Sequence, residues 1–203
     1  MSGLLASVTD ATEALLALEA GADIIDCKDP SRGALGALSS AAIRSIVAAA
    51  LGRRPVSATV GDLPTEADPL VCAVRRTAAA GVDYVKLGLF RTDDVGEVLT
   101  RLFPLARSHK LIAVLFADLA PRLEILPDLA DAGFAGVMLD TAGKGRGTLL
   151  DHTRPAFLRD FVTQAQDLEL LCGLAGSLAE GQIPDLLPLC LLYTSPSPRD
   201  QRP

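Results

Sequence analysis

Lysine is scarce in this sequence, and its placement is the first sign of chemistry. Of 19 basic residues only Lys28, Lys86, Lys110 and Lys144 are lysines. Lys28, Lys86 and Lys144 stand at or just past the ends of short apolar, β-branched runs. Arginine stays protonated in proteins and can neither form an imine nor shuttle a proton, whereas a neutral lysine amine does both. Lysine retained at such points implies attack on a carbonyl or abstraction of a proton. Asp26, Asp62, Asp118 and Asp140 occupy comparable positions at the ends of similar runs.

The period of the runs says which way these groups point, because alternate residues of a strand share a face. In ADIIDCK, Ile24, Asp26 and Lys28 fall on one face, and Ile25 and Cys27 on the other. In DYVKLGL, Tyr84, Lys86 and Gly88 share one face, and Val85, Leu87 and Leu89 the other. The wholly apolar set suits a covering layer of helices, so Lys28 and Lys86 are expected to project inward. Burial near another cation lowers a lysine pKa and supplies the neutral amine. The plainer alternatives are a solvated loop charge and a lysine that merely pairs with a carboxylate such as Asp26. Two buried ion pairs, however, cost desolvation without a clear gain in stability.

The elements that must position these groups alternate along the chain. Strands are expected at 4–8, 23–28, 55–60, 84–89, 111–118, 136–141 and 170–175. Amphipathic helices are expected at 11–19, 41–51, 69–80, 94–108, 122–132 and 155–167. This alternation implies a parallel sheet with right-handed crossovers. Three helix ends carry similar words, EAGADIID, AAGVDYVK and DAGFAGVMLD, and Gly21, Gly81 and Gly133 suit left-handed caps there. Repeated βα units, with no GxGxxG after the first strand, favour an α/β fold of the TIM (β/α)8-barrel type over an open dinucleotide-binding sheet. Its active site would lie at the C-terminal ends of the strands. Seven strands are visible, so the barrel domain, 1–189, is expected to lack its last strand and helix. The segment 190–203, CLLYTSPSPRDQRP, has no apolar period, resembles vector read-through and is placed outside the fold.

Anion-binding loops come next. DPSRGALG after the second strand offers Arg32 and Gly33, and GKGRGT follows the sixth strand. Gly176 and Ser177 fall after the seventh, where barrels often hold phosphate at a helix N-terminus. Together with Asp62 and Asp118 these make up the expected substrate-binding set. His109 and His152 are isolated. Ser177 lies in LAGSLAE, which lacks the G-x-S-x-G elbow and reads as a helix N-cap rather than a nucleophile.

Composition narrows the class. At 203 residues the chain suits one domain. Its net charge of -6 argues against a nucleic-acid partner. No apolar run reaches the ~20 residues of a membrane span, and the N-terminal stretch lacks the basic start of a secretory signal. Cys27, Cys72, Cys172 and Cys190 are scattered without CxxC spacing and read as reduced, mostly buried thiols. A cytoplasmic, homo-oligomeric enzyme that needs neither metal nor organic cofactor is expected.

The strand ends also spell a resemblance. The words ADIIDCKDPSRGALGA, VSATVGDLP, GVDYVKLGLF, GVMLDTAGKGRGTLLD and CGLAGSL, in order between about 4 and 188, resemble the (5-formylfuran-3-yl)methyl phosphate synthase family of methanofuran-type cofactor biosynthesis. The resemblance implies a TIM-barrel lyase that condenses two molecules of glyceraldehyde 3-phosphate, releasing phosphate and water. It implies a Schiff base on Lys28 and proton acceptance by Lys86. Asp26, Asp140 and Lys144 match the family's remaining catalytic positions. The alternatives are another Schiff-base aldolase, a phosphate-binding barrel isomerase, or an inactive truncated remnant.

Overall fold

The computed structural model describes residues 3–143, 145–189 and 193–196. Eight parallel strands close into a barrel in chain order: β1 (Gly3–Val8), β2 (Ile24–Cys27), β3 (Val56–Thr59), β4 (Tyr84–Leu89), β5 (Lys110–Phe116), β6 (Gly136–Asp140), β7 (Leu171–Leu178) and β8 (Tyr193–Pro196). Helices α1 (Ala11–Glu19), α2 (Ser40–Ala50), α3 (Ala67–Ala78), α4 (Gly96–Ala106) and α5 (Ile125–Asp131) follow β1 to β5 in turn. A short helix α6 (Leu149–His152) and the longer α7 (Pro155–Asp167) follow β6, and the short α8 (Ile183–Leu186) follows β7. The TIM-barrel class is therefore the one the alternation implied.

The three glycine words share a structural reason. Gly21, Gly81 and Gly133 all take positive φ, at 88°, 91° and 79°. Behind two of them the chain closes a Schellman cap, Ala22 N–H donating to Ala17 O and Phe134 N–H to Leu129 O. The chain then turns into the next strand in one repeated manner. Asp23 N–H donates to Leu4 O, Asp83 N–H to Val56 O, and Ala135 N–H to Leu111 O. In the first two units the aspartate carboxylate returns the favour, accepting from Leu4 N–H at 2.9 Å and from Val56 N–H at 2.8 Å. The repeated words thus encode strand entry.

The residue alternation sorts the core as expected. Ile25 and Cys27 pack with Ile43 and Ile46 of α2, and Val85, Leu87 and Leu89 pack against the helical layer around α3 and α4. Ile24, Ile112, Val114, Phe116 and Met138 fill the barrel interior. Burying such side chains is worth ~1.5–3 kcal/mol each, which makes the outer layer the main source of cohesion.

One expectation changes. The segment 190–203 was set outside the fold, yet Tyr193–Pro196 lies between β7 and β1 and pairs parallel with both. Parallel pairing uses backbone groups, so four extended residues satisfy the two flanking edges without any apolar period. Pro196 sits at the strand's last position, where the register with β7 is irregular, a setting that tolerates a missing N–H. Among the described residues no helix follows β8. Among the described residues no helix is long and apolar enough to cross a membrane.

Candidate active site

Four ionisable side chains meet inside the barrel. β2 contributes Asp26 and, one residue past its end, Lys28; β4 contributes Lys86; β6 ends on Asp140. All four are nearly sealed from solvent, with exposures of 0% for Asp26, 2% for Lys86, 2% for Asp140 and 9% for Lys28. The Lys86 amine donates to Asp26 Oδ2 at 2.7 Å. Lys28 Nζ lies 3.8 Å from Asp140 Oδ2, and Asp140 Oδ1 accepts from Thr141 N–H at 2.7 Å. Both lysines thus face inward as their strand period predicts. Lys86 is also carboxylate-paired, the plainer alternative weighed for it.

Asp26 is the hub. Besides Lys86 it accepts from Ser57 Oγ at 2.6 Å on Oδ1 and from Ser7 Oγ at 3.1 Å on Oδ2. Ser7 and Ser57 are the direct register partners of Asp26 on β1 and β3. Sequence reasoning missed both serines. The available signal was a small hydroxyl residue at an inward position of β1 and of β3, where Thr59 repeats it two residues on.

The charges interact strongly because water is excluded. Burial alone would raise the carboxyl pKa of Asp26. The charges of Lys86 and then Lys28, with hydrogen bonds from Lys86 and Ser57, outweigh that and hold it below the ordinary value, so it stays ionised. For Lys86, loss of water pushes the amine below the ordinary lysine value; Asp26 opposes this and Lys28 reinforces it. Beneath Lys86 lies a small cavity of ≈ 30 Å³ lined by Leu5, Ile24, Tyr84, Ile112 and Leu171, among others. The deep side of the amine is therefore apolar.

The expected substrate-binding residues divide. The Asp62 carboxylate accepts from Ala34 N–H at 2.9 Å and Leu35 N–H at 2.7 Å, fastening the loop after β2. Asp118 does the same for the loop after β6, accepting from Ala142 N–H at 2.8 Å and Gly143 N–H at 2.7 Å. Direct contact with a phosphate does not fit either carboxylate, since both oxygens of each are engaged and the charges would repel. Gly33 takes φ +119° and packs directly against Asp62. Arg32 is exposed and donates through Nη1 to Ala37 O at 2.8 Å, which leaves other guanidinium donors for an anion.

Gly176, at φ +113°, is buried against Thr141 and Leu149. Ser177 is half-buried within β7 at φ 49°. Ser177 is not a helix N-cap, because the strand continues to Leu178 and the next turn starts from Ala179. Lys144 and Cys190 lie outside the described residues. Cys27 and Cys172 are buried and burial pushes each thiol up to about 12, whereas Cys72 is exposed. Among the described residues no group of three His, Cys, Asp or Glu side chains could hold a metal ion.

Solved structures share this architecture. A phosphoenolpyruvate phosphomutase from Streptomyces platensis superposes with a TM-score of 0.66 at 18% identity, covering 96% of this chain and 76% of that one. Phosphoribosyl anthranilate isomerase from Thermus thermophilus gives 0.64 at 18% identity, covering 96% and 86%. At such identities the likeness concerns the fold alone.

Sequence relatives are far nearer. A Methylorubrum extorquens protein is 43% identical over 183 residues, 90% of this chain and 75% of its own length. The (5-formylfuran-3-yl)methyl phosphate synthases of Methanococcus maripaludis and Methanocaldococcus jannaschii are each 36% identical, over 196 and 195 residues, with 90% of this chain and 83% of theirs covered. The family model for 4-HFC-P synthase matches residues 4–193, through all the strands that carry the lysine–carboxylate array. This chain belongs to the 4-HFC-P synthase family.

Proposed function

We propose that the protein is a Schiff-base lyase that condenses two molecules of glyceraldehyde 3-phosphate into (5-formylfuran-3-yl)methyl phosphate, with release of phosphate and water. The observation that carries the reading is a cluster of two buried lysines of unequal depth, Lys86 paired with the ionised Asp26 and Lys28 beside Asp140. Lys28, the more accessible, forms the covalent bond. Its neutral amine adds to a substrate carbonyl, and loss of water gives an iminium that withdraws electrons from the neighbouring carbon. Lys86, deeper and drier, accepts the proton that this carbon then releases, forming an ammonium that Asp26 is already placed to stabilise. Asp140 orients the Lys28 amine. The substrate's phosphate is held by Arg32 and by backbone at Gly33, Gly176 and Ser177, with Lys144 adding a cation. The reaction draws on side-chain amines and carboxylates alone, in a cytoplasmic enzyme supplying a one-carbon cofactor pathway.

Borohydride reduction in the presence of glyceraldehyde 3-phosphate tests the covalent step. A stable adduct on the Lys28 peptide, absent in Lys28→Arg, is the expected result. Full activity in Lys28→Arg would defeat the assignment. Product mass separates the readings: a furan aldehyde phosphate supports this one, while an open-chain sugar phosphate points to an aldolase.

A further inference from the structure

The inward file of β4 is Tyr84, Lys86 and Gly88, so the position ~6–7 Å above Lys86 carries no side chain. That space is nevertheless filled. A Cβ added at Gly88 would stand 2.8 Å from Leu35 Cδ1, 3.0 Å from Phe90 Cε2 and 3.1 Å from Phe116 Cε2. The two phenyl rings stack with centroids 4.3 Å apart. Leu35 belongs to the loop after β2, yet it is only 1% exposed and packs in the barrel interior with Val114 and Phe116. The side chain that β4 lacks is thus supplied by another segment, the one that begins at Lys28.

That segment is held at several points. Asp29 N–H donates to Gly36 O at 2.9 Å, closing the loop's base, and Thr59 Oγ1 donates to the same oxygen at 3.2 Å. Asp62 grips the backbone of Ala34 and Leu35 itself. Glycine at 33 lets the carboxylate approach, since a Cβ there would overlap Asp62 Oδ2. This much fastening at one apolar side chain implies that the position of Leu35 matters.

We infer that Leu35, held by Asp62, is the positioning residue that keeps water off the upper side of the Lys86 amine. The charged and titratable groups around that amine are Asp26 and Lys28 on the β2 side, Asp140 on β6, Tyr84 on β4 itself, Cys172 beside the cavity below, and Cys27 on β2. Asp140 borders that layer as the register partner of Phe116, with Lys28 beside it, but the cover at Gly88, next along β4 from Lys86, is apolar and is made by Leu35, Phe90 and Phe116. The inference rests on Lys86 as the proton acceptor, but its test does not require turnover.

The pH dependence of acetylation by acetic anhydride, read peptide by peptide with exposed Lys110 as reference, reports the ionisation of Lys86 directly. Leu35→Asn, a polar residue of similar size, is expected to move the Lys86 curve up by about one pH unit toward ordinary lysine behaviour. Leu35→Met should leave it in place. Asp62→Asn, which loosens the clamp without altering the apolar wall, should move it in the same direction. The acidic limb of kcat should follow, with inhibition by inorganic phosphate unchanged. The inference is overturned if the Lys86 curve of Leu35→Asn superimposes on wild type. If that variant does not fold, Asp62→Asn decides by the same curve. It is equally overturned if Asp62→Asn leaves the curve alone but weakens phosphate inhibition, since Asp62 then serves the anion. A wild-type protein that makes no furan phosphate speaks against the proposed function, and the labelling curves still decide the role of Leu35.

Discussion

Lys86 Nζ reaches Asp26 Oδ2 at 2.7 Å from β4 to β2, over the strand between them, and that strand's Ser57 donates to the other oxygen of the same carboxylate. With Ser7 of β1, four strands therefore depend on one buried negative charge. Asp26→Asn keeps the volume but removes the charge that Lys86 needs. Removing one partner of such a pair costs about 3–5 kcal/mol, because the remaining charge is stranded in an apolar setting. Urea unfolding followed by circular dichroism should show a loss of that size. Pairing Asp26→Asn with Lys86→Met should recover part of it, as no charge is left behind.

The pH dependence of turnover follows from the direction of the Lys86 shift. Proton acceptance requires the neutral amine, and desolvation lowers the pKa of this amine below the ordinary 10.5 despite the opposing pull of Asp26. The rate should rise with pH through that lowered pKa and level off before an ordinary lysine would have lost its proton. A kcat profile that still climbs steeply at pH 10.5 and above would contradict the assignment.

Acid stability follows from Asp26, whose pKa is held below the ordinary 3.8 by Lys86 and Lys28 in spite of burial. An acid with a depressed folded-state pKa binds fewer protons folded than unfolded. Its contribution is complete above the unfolded value and disappears as pH falls through the folded one. Stability from urea titrations should therefore drop below pH 3.8, and the drop should shrink in Asp26→Asn.

Much of this was legible beforehand. The strand ends could be read because parallel barrel strands combine an apolar outward face with an inward one, and inward lysines break that pattern visibly. Lys28 and Lys86 came from that break, while Asp26 and Asp140 stood among the strand-end aspartates and were singled out by the family resemblance. Two kinds of feature were hidden. Ser7 and Ser57 are ordinary small residues until the register sets them beside Asp26. Asp62 and Asp118 look like strand-end site residues because a carboxylate that clamps a loop sits where a catalytic one would. Only the position of the loop amides separates the two cases. Tyr193–Pro196 was hidden for a different reason, since edge pairing is satisfied by backbone and leaves no side-chain pattern.

Gly33→Ala tests the clamp from the other side. The φ of +119° is strained for any L side chain, and the added methyl would collide with the carboxylate of Asp62. Either the loop opens or Asp62 is displaced, and both outcomes release Ala34 and Leu35 N–H. A loss of about 1–3 kcal/mol is expected. Hydrogen exchange should rise at the amides of Ala34 and Leu35 while the amides of β6 keep their protection. Uniform exposure across the barrel would instead mean that the loop is part of the global folding unit.

Ser57→Ala isolates the hydrogen bond from the charge. The serine hydroxyl donates to Asp26 Oδ1 at 2.6 Å from a position that is itself buried, so no water enters easily in its place. A hydrogen bond to a charged group is worth about 1.5–3 kcal/mol, and the loss should appear as reduced stability in urea. The same bond helps keep the Asp26 pKa low and offsets part of the carboxylate charge. Without it Asp26, still held ionised by the two lysines, acts more fully on Lys86, so Ser57→Ala should raise the pKa of Lys86 and move the acidic limb of kcat to higher pH. Ser57→Thr, which keeps the hydroxyl, should restore both the stability and the limb. A limb that stays in place while stability falls would show that Ser57 supports the fold without tuning the amine.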